Sequence, residues 1–187
     1  RMIITEPKWK RWVVETTGNI FTPKLCQEII DLSKTLPSEK GKVFENKGDR
    51  ASTISWLPFN KMQSMYDEIN TFIQKTNKNH FGFSDIQITE TAQITEYTKG
   101  ESYNWHTDTC IDMNLEPPVR KLSMTLLLND PSEFDGGELK IAGVETSPIM
   151  KQGHATIFAS FLQHKITPVT RGVRRSLVMW FGGEPFK

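Results

Sequence analysis

The feature that most constrains the fold is a change of pattern at about residue 86. Before it, apolar residues recur at the three- and four-residue spacing of helices. After it, short runs rich in β-branched residues alternate and are separated by turn residues such as Lys99-Gly100. No run of helical period separates these strands, which excludes the alternating order of a parallel α/β sheet. Two helices followed by many short strands predict a mainly β fold with flanking helices, a helix-flanked sandwich or a jelly roll.

The N-terminal part predicts two helices. Thr22 and Pro23 fit the N-cap and the first position of one helix, whose apolar residues recur at helical spacing up to a stop at Pro37. A second helix is expected from about residue 60 to 76, because its apolar residues mark one face. The polar segment 38–51 between the helices is predicted as a loop.

Strands are predicted from period-two alternation and from β-branched content, with one longer loop at 109–120. They are expected at 53–57, 86–97, 122–128, 138–141, 155–158, 165–167 and 176–181. We expect one domain over residues 1–187, with N-terminal helical support at about 20–78 and a jelly-roll core at about 86–183.

A His-x-Asp motif marks the candidate functional site. On a strand, residues i and i+2 point to the same face, so His106 and Asp108 can reach one point. One imidazole and one carboxylate supply two of the three ligands of a facial Fe(II) site, and a second histidine would complete it. His164 is the favoured candidate, because His80 is expected at a surface or cap position and His154 in a turn.

The alternative metal site is a structural zinc site closed by a fourth ligand, which Cys110 could supply. We favour iron, because three protein ligands leave positions open for a cosubstrate and dioxygen. Cys26 is predicted as a buried small hydrophobe on the first helix. Two cysteines are too few for a disulfide framework, so a reducing, cytoplasmic setting is expected.

Charge and hydropathy limit the expected partners. The formal net charge is +1, which predicts neither nucleic acid nor a membrane surface as a partner. The basic and aromatic residues at 8–12 are interpreted as an edge strand rather than a nucleic-acid stripe. No apolar run approaches the roughly 18 residues of a membrane helix, and we recognise no signal-peptide segment.

Arg174 and Ser176 form a second candidate group, since both face the same way on a strand. The planar guanidinium of arginine donates two parallel hydrogen bonds to a carboxylate. An Arg-x-Ser pair beside an iron site therefore predicts an anchor for a dicarboxylate. Arg175 is expected to face the other side, and Trp180 the inner face. The alternative is a surface arginine in a basic run that includes Arg171.

These motifs resemble those of the iron(II)/2-oxoglutarate-dependent dioxygenases of the prolyl 4-hydroxylase type, most closely the bacterial and phage PKHD-type hydroxylases. The resemblance rests on Tyr97, Gly100, Tyr103, His106 and Asp108 at the family's spacing, then Phe134-Asp135-Gly136-Gly137-Glu138-Leu139, His164, Thr167-Pro168-Val169-Thr170-Arg171-Gly172 and Arg174. Arg50-x-Ser52 matches more loosely. The resemblance spans about residues 20–187 and is most specific in the second half.

The resemblance implies a double-stranded β-helix, the jelly-roll or cupin-like fold, with Fe(II) bound by His106, Asp108 and His164. It implies that 2-oxoglutarate chelates the iron and that the far carboxylate of this cosubstrate pairs with Arg174. Dioxygen would take the last position at the metal, and succinate and CO2 would be released. Ascorbate is a further candidate cofactor.

The hydroxyl partner of the 2-oxoglutarate tail stays open. Animal members of the family carry a tyrosine in the strand after the His-x-Asp loop, and Leu127 stands near that position here. Tyr97, Ser176 and Thr125 are the candidates. Tyr103 and Trp180 complete the expected cofactor-binding set.

The implied activity is hydroxylation of a peptide or protein at proline, and this substrate class rests on the resemblance alone. The segments 38–51 and 109–120 are the expected lids and substrate contacts. Hydroxylation of a free amino acid or other small molecule is the first alternative. A catalytically silent jelly-roll binding module is an alternative of another class, and the complete triad with Arg174 argues against it. The sequence predicts no oligomeric state.

Overall fold

A computed structural model describes residues 11–41, 50–109 and 118–184. Its first helix, α1 (Pro23–Ser33), begins as predicted, because the Thr22 side chain accepts a hydrogen bond from the backbone N–H of Leu25 at 3.2 Å. It ends at Ser33, before the predicted stop at Pro37. The N–H groups of residues 35 and 36 bond to carbonyls three residues back, which closes the helix with a tighter turn.

The second helix, α2 (Gln63–Thr76), starts slightly later than predicted. Phe59–Lys61 forms a separate 3-10 turn in front of it. The predicted apolar stripe is confirmed, since Met65, Tyr66 and Ile69 are buried. Neither described α-helix combines the length and apolar character that a membrane crossing requires.

Strands make up most of the remaining described chain. In chain order they are β1 (Val13–Glu15), β2 (Ser38–Lys40), β3 (Thr53–Leu57), β4 (Gln87–Ile88), β5 (Ala92–Thr98), β6 (Tyr103–His106), β7 (Val119–Leu127), β8 (Phe134–Gly136), β9 (Leu139–Ile141), β10 (Ala155–Ala159), β11 (His164–Ile166) and β12 (Val169–Gly183).

The described strands form two antiparallel sheets. The larger sheet has the order β1-β10-β7-β12-β5-β3-β2, with β4 and β8 also paired to β12. The smaller sheet has the order β6-β11-β9. Neighbours in space are distant in sequence, so most pairs are not simple hairpins. This two-sheet arrangement confirms the predicted mainly β, jelly-roll fold.

Several predicted strands and loops differ in extent from the structure. β7 begins at Val119, inside the loop predicted at 109–120. The loop predicted at 38–51 contains β2, and residues 42–49 of it lie outside the described part. The predicted strand 176–181 is the second half of β12, which starts at Val169, where it pairs first with β8. Charged and glycine residues at 170–175 hide this first half from a hydropathy pattern.

The predicted strand 86–97 is broken into β4 and β5. Ile88 lies opposite Phe181, and Gln93 lies opposite Val178. Four residues on one side of this interval therefore face two on β12. The extra residues cannot be paired, so the chain bends out of the sheet between β4 and β5.

Side chains on the central strands alternate between two environments. On β7, the even-numbered residues Leu122, Met124 and Leu126 are buried in the main core against α1 and α2. The odd-numbered Ser123 and Thr125 line a cavity on the other side of the sheet. Side chains also alternate on β12, but there the odd-numbered residues face the core and the even-numbered residues face the cavity. The helix side carries the core, and the opposite side holds the polar residues.

A second, smaller apolar cluster lies between the two sheets. Its members come from both sheets: Tyr97, Leu139, Ile141, Phe158, Ile166 and Val169. It fixes the smaller sheet against the larger one and borders the cavity, which opens between the sheets.

Candidate active site

The three predicted metal ligands lie together. His106 ends β6, His164 begins β11, and these two residues are paired across the two strands. Asp108 follows two residues after His106, and its carboxylate lies against both imidazoles. Its Oδ1 is 3.6 Å from Nε2 of His106, and its Oδ2 is 3.5 Å from Nε2 of His164. The candidate ligand atoms of the three residues all lie within 4.8 Å of one another.

The backbone sets the tautomer of both histidines. Nδ1 of His106 lies 2.7 Å from the carbonyl oxygen of Asn104, and Nδ1 of His164 lies 3.0 Å from that of Leu162. A carbonyl oxygen only accepts, so Nδ1 carries the proton in each ring. The lone pair is then on Nε2, which faces Asp108. This is the orientation that metal-binding histidines adopt when their other nitrogen is held by a hydrogen bond.

The carboxylate of Asp108 is buried and ionised. Its Oδ2 accepts a hydrogen bond from the Ser123 hydroxyl at 2.6 Å. Burial favours the neutral acid, but the positive charge of a protonated imidazole, above all at His164, and the hydrogen bond from Ser123 outweigh burial. The pKa of the Asp108 carboxyl therefore lies below its ordinary value. Two imidazoles and one carboxylate fit a divalent cation such as Fe(II).

His106 is also held in its neutral form. The pKa of His106 is lowered from 6.5 to about 4. Burial has the largest effect, and the nearby His164 adds a smaller one. The ring stacks on Tyr103, with 3.4 Å between the ring centroids and 10° between the planes. The imidazole is therefore free of a competing proton at neutral pH.

The lowered pKa of His106 predicts a pH dependence for the metal-free protein. The His106 imidazole takes up a proton near pH 6.5 in the unfolded chain and only near pH 4 in the folded chain. Protonation therefore favours the unfolded chain, and the free energy of unfolding falls as the pH drops from above 6.5 towards 4. This group alone should lower the free energy of unfolding by about 2 kcal/mol between pH 7 and pH 5. Urea unfolding at both pH values measures it. His106→Gln should lack this part of the pH dependence; an equal loss in that variant would contradict the assignment.

The triad lies in a cavity of about 710 Å³ between the sheets. That size lies within the range of small-molecule sites. The cavity walls carry all the residues predicted for cofactor binding: Tyr97, Tyr103, Thr125, Arg174, Ser176 and Trp180. The structure thus brings the predicted residues into one place. His154 is not among the residues that line this cavity; its Nδ1 lies 3.3 Å from the Thr16 carbonyl oxygen.

Arg174 is buried in this cavity, with 3% of its surface exposed. Its Nη1 donates to the Ser176 hydroxyl at 3.0 Å, as the shared face predicts. Burial lowers the pKa of its guanidinium below the usual value, yet arginine stays charged in proteins. No ion pair to Arg174 and no partner for its Nε occur within the described residues. A buried cation of this kind fits a missing anionic ligand.

Two glycines explain how Arg174 fits there. Gly136 and Gly137 have φ values of 74° and 62°, in the left-handed region that favours glycine. A Cβ at Gly137 would lie 2.7 Å from Cδ of Arg174. The Gly-Gly pair therefore makes room for the arginine as well as turning the chain.

Arg175 faces away from the cavity, as predicted, and its Nε donates to Glu96 at 3.1 Å. Leu127, near the position at which animal members of the family carry a tyrosine, is buried beside a second, small cavity that also touches Arg174. Cys26 is fully buried, as predicted. Cys110 and residues 110–117 of the predicted lid lie outside the described residues.

Sequence reasoning missed several residues of the cavity. Arg50 donates to Ser52 and Gln93, both at 2.8 Å, and lies over the ring of Tyr103. Arg120 lies 3.8 Å from the ring centroid of Trp180. The Arg50-x-Ser52 pattern was visible in the sequence without a role. The position of Arg120 depends on the pairing of β7 with β12, which no local pattern reveals.

The profile of the 2OG-Fe(II) oxygenase superfamily matches residues 92–182. A PKHD-type hydroxylase of Colwellia psychrerythraea is 30% identical over 167 residues, which cover 86% of this chain and 74% of the relative. A PKHD-type hydroxylase of Maricaulis maris is 33% identical over 119 residues, covering 61% of this chain and 53% of the relative. The match to that relative thus spans about half of its length.

Solved structures share the fold at low sequence identity. The viral collagen prolyl hydroxylase from Paramecium Bursaria Chlorella virus-1, in its 2OG complex, has a TM-score of 0.76 at 18% identity, covering 93% of this chain and 97% of that one. A prolyl hydroxylase from Trichoplax adhaerens, in complex with a hypoxia inducible factor peptide fragment, has a TM-score of 0.73 at 15% identity, covering 91% and 83%.

A two-sheet β fold that encloses a His-Asp-His group and a buried arginine is typical of the non-haem iron oxygenases. The chain belongs to the 2OG-Fe(II) oxygenase superfamily and, within it, to the PKHD-type hydroxylases. Members of this superfamily use Fe(II), 2-oxoglutarate and dioxygen, and the triad found here fits iron.

Proposed function

We propose that this chain is an Fe(II)- and 2-oxoglutarate-dependent hydroxylase. His106, Asp108 and His164 would hold Fe(II), and Arg174 would bind the far carboxylate of 2-oxoglutarate. One observation carries the proposal: a buried guanidinium without an anionic partner in the described chain shares a cavity with the His106, Asp108 and His164 triad. A structural cation site has no need of the arginine.

The residues of the chain would bind and orient the cosubstrate and would exclude water. The guanidinium of Arg174 can donate two hydrogen bonds to a carboxylate, and its own hydrogen bond to Ser176 fixes its position. The apolar cluster between the sheets covers the cavity next to the triad. When bound, Fe(II) and 2-oxoglutarate supply the activation of dioxygen, with release of succinate and CO2. The contribution of the protein is to keep the reacting groups in register in a dry site.

Tyr97 is the hydroxyl that we assign to the 2-oxoglutarate tail. It lies directly opposite Arg174 across the β5–β12 pair, and its ring centroid is 5.9 Å from Cζ of that arginine. Burial raises the pKa of the Tyr97 phenol, which therefore stays protonated and can donate to a carboxylate. The Ser176 hydroxyl already accepts from Arg174, so its own proton can serve as a second donor. Thr125 lines the same cavity.

For the substrate, we propose a proline residue in a peptide or protein. Support comes from the similarity to prolyl hydroxylase structures, one of which holds a peptide. The cavity wall also carries Trp56 and Arg50, an aromatic and a cationic group that can bind a polar main chain, and Arg120, which pairs with Glu90.

Turnover assays test this proposal. With Fe(II) and 2-oxoglutarate under oxygen, the protein should form succinate, and proline-containing peptides should gain the mass of one oxygen atom in stoichiometric amounts. A chelator provides the control and should stop both signals. Succinate formation stimulated by a free amino acid and by no peptide would overturn the substrate proposal. No succinate under any condition, together with no visible absorption band from anaerobic Fe(II) and 2-oxoglutarate, would overturn the enzyme proposal and leave a binding module.

A further inference from the structure

Two buried serines lie behind the candidate metal ligand Asp108. Ser123 is on the cavity side of β7, and Ser160 follows β10; their exposed surfaces are 1% and 0%. The hydroxyl of Ser123 is 2.6 Å from Oδ2 of Asp108, and the two serine hydroxyls are 2.9 Å apart. Neither serine was singled out by the sequence pattern.

The direction of these hydrogen bonds follows from the number of protons. An ionised carboxylate only accepts, so Ser123 must give its single hydroxyl proton to Asp108. Ser123 then has none left for Ser160, and Ser160 must be the donor between the two serines. The chain of donors therefore runs from Ser160 to Ser123 to Asp108. A hydroxyl that accepts a hydrogen bond becomes a stronger donor.

The backbone holds the same three residues. The N–H of Asp108 donates to the carbonyl of Ser160 at 3.0 Å, and the N–H of Ser160 donates to the carbonyl of Lys121 at 2.9 Å. The turn after β10 thus links the strand that carries Ser123 to the segment that carries Asp108. The hydroxyl chain and the backbone bonds together leave the carboxylate little freedom to turn.

We propose that Ser123, supported by Ser160, is a positioning residue that orients Asp108 as a metal ligand. The hydrogen bond takes one lone pair of Oδ2, which lies 3.5 Å from Nε2 of His164, while Oδ1 accepts no hydrogen bond from Ser123 and lies 3.6 Å from Nε2 of His106. A hydrogen bond withdraws electron density from Oδ2, so Oδ1 is the stronger ligand atom, and three protein ligands that each give one atom leave three positions open. A carboxylate free to turn could use both oxygens and close one of them. This inference rests on the proposed Fe(II) site.

Anaerobic calorimetric titration with Fe(II), without cosubstrate, tests the proposal in the full chain. Ser123→Ala should weaken Fe(II) binding by about 10- to 100-fold, the usual effect of losing a partner of a metal ligand. Ser160→Ala leaves the Ser123–Asp108 bond in place and should weaken binding by less than about tenfold. Ser123→Thr keeps a hydroxyl and should recover most of the affinity. Ser33→Ala, which removes a buried serine in α1 that bonds to Ile30, is the matched control and should bind like the wild type.

The double variant tests whether Ser160 acts through its hydrogen bond to Ser123 or through packing. We call the hydrogen-bond chain from Ser160 through Ser123 to Asp108 the relay. If Ser160 acts through Ser123, then Ser123→Ala with Ser160→Ala should bind Fe(II) no more weakly than Ser123→Ala alone. Independent, additive losses would overturn the relay. Affinity within about twofold of wild type for a folded Ser123→Ala would overturn the positioning role. A wild-type chain that binds no Fe(II) would instead refute the proposed function.

Discussion

Asp108→Ala will abolish stoichiometric Fe(II) binding and, with it, succinate formation. Asp108 is the anionic member of the triad, and two neutral imidazoles alone hold a divalent cation weakly. The loss should exceed the about 10- to 100-fold effect of removing an outer partner of a ligand. The fold should survive, because Asp108 lines the cavity and is not part of the packed apolar core. Anaerobic calorimetry measures the Fe(II) affinity, and thermal unfolding checks the fold.

Asp135→Ala is the control for this experiment. Asp135 is an exposed carboxylate that accepts from Nε of Arg171 at 2.6 Å, on the far side of the Gly-Gly turn. Exposed ion pairs contribute roughly 0–1 kcal/mol, so this variant should bind Fe(II) like the wild type. Full iron occupancy in Asp108→Ala would show that the ligand set is wrong.

Arg174→Ala will raise the apparent KM for 2-oxoglutarate while Fe(II) still binds. Removing one partner of a buried, hydrogen-bonded charge pair costs about 2–5 kcal/mol, which is at least about 30-fold in affinity. The KM should change more than the kcat, because the proposed contact of Arg174 is with the carboxylate of 2-oxoglutarate that does not react. Lysine should restore little, since it lacks the planar fork. Initial rates of succinate formation over a range of 2-oxoglutarate concentrations measure the change.

The neighbouring arginine supplies the matched control. Arg175 lies on the opposite face of β12 and pairs with Glu96, so Arg175→Ala should leave the KM for 2-oxoglutarate unchanged. Arg174→Met fills the space of the side chain beside Gly137 and separates lost charge from a cavity. If the KM stays at the wild-type value in a folded Arg174→Met, the cosubstrate carboxylate binds elsewhere.

Much of the fold could be predicted because its signals are local. The Thr22-Pro23 start of α1, the apolar stripe of α2 and the strand Thr53–Leu57 depend on residues within one element. The errors concern properties of the sheet. The break between β4 and β5 arises from the register against β12, and the strand β2 exists because it pairs with β3.

The site divides in the same way. His106 and Asp108 could be predicted because residues two apart in an extended segment face the same side, although β6 ends at His106 and Asp108 lies just beyond it. His164 followed as the third ligand because the sequence has only four histidines. Ser123 and Ser160 could not, because they meet Asp108 only when β7 and β10 are paired in their register. The sequence around a short polar residue on a strand does not indicate which residue will lie opposite it in the sheet.

The alternation along β12 has a consequence for how such an enzyme can change over time. Val178 and Trp180 face the cavity, while Met179 between them is buried in the helix-side core. A substitution at a cavity position alters the shape offered to a substrate without disturbing the layer that keeps the chain folded. Substitutions on the cavity face of β12 can therefore change substrate preference, and substitutions on its core face can change thermal stability, independently of each other.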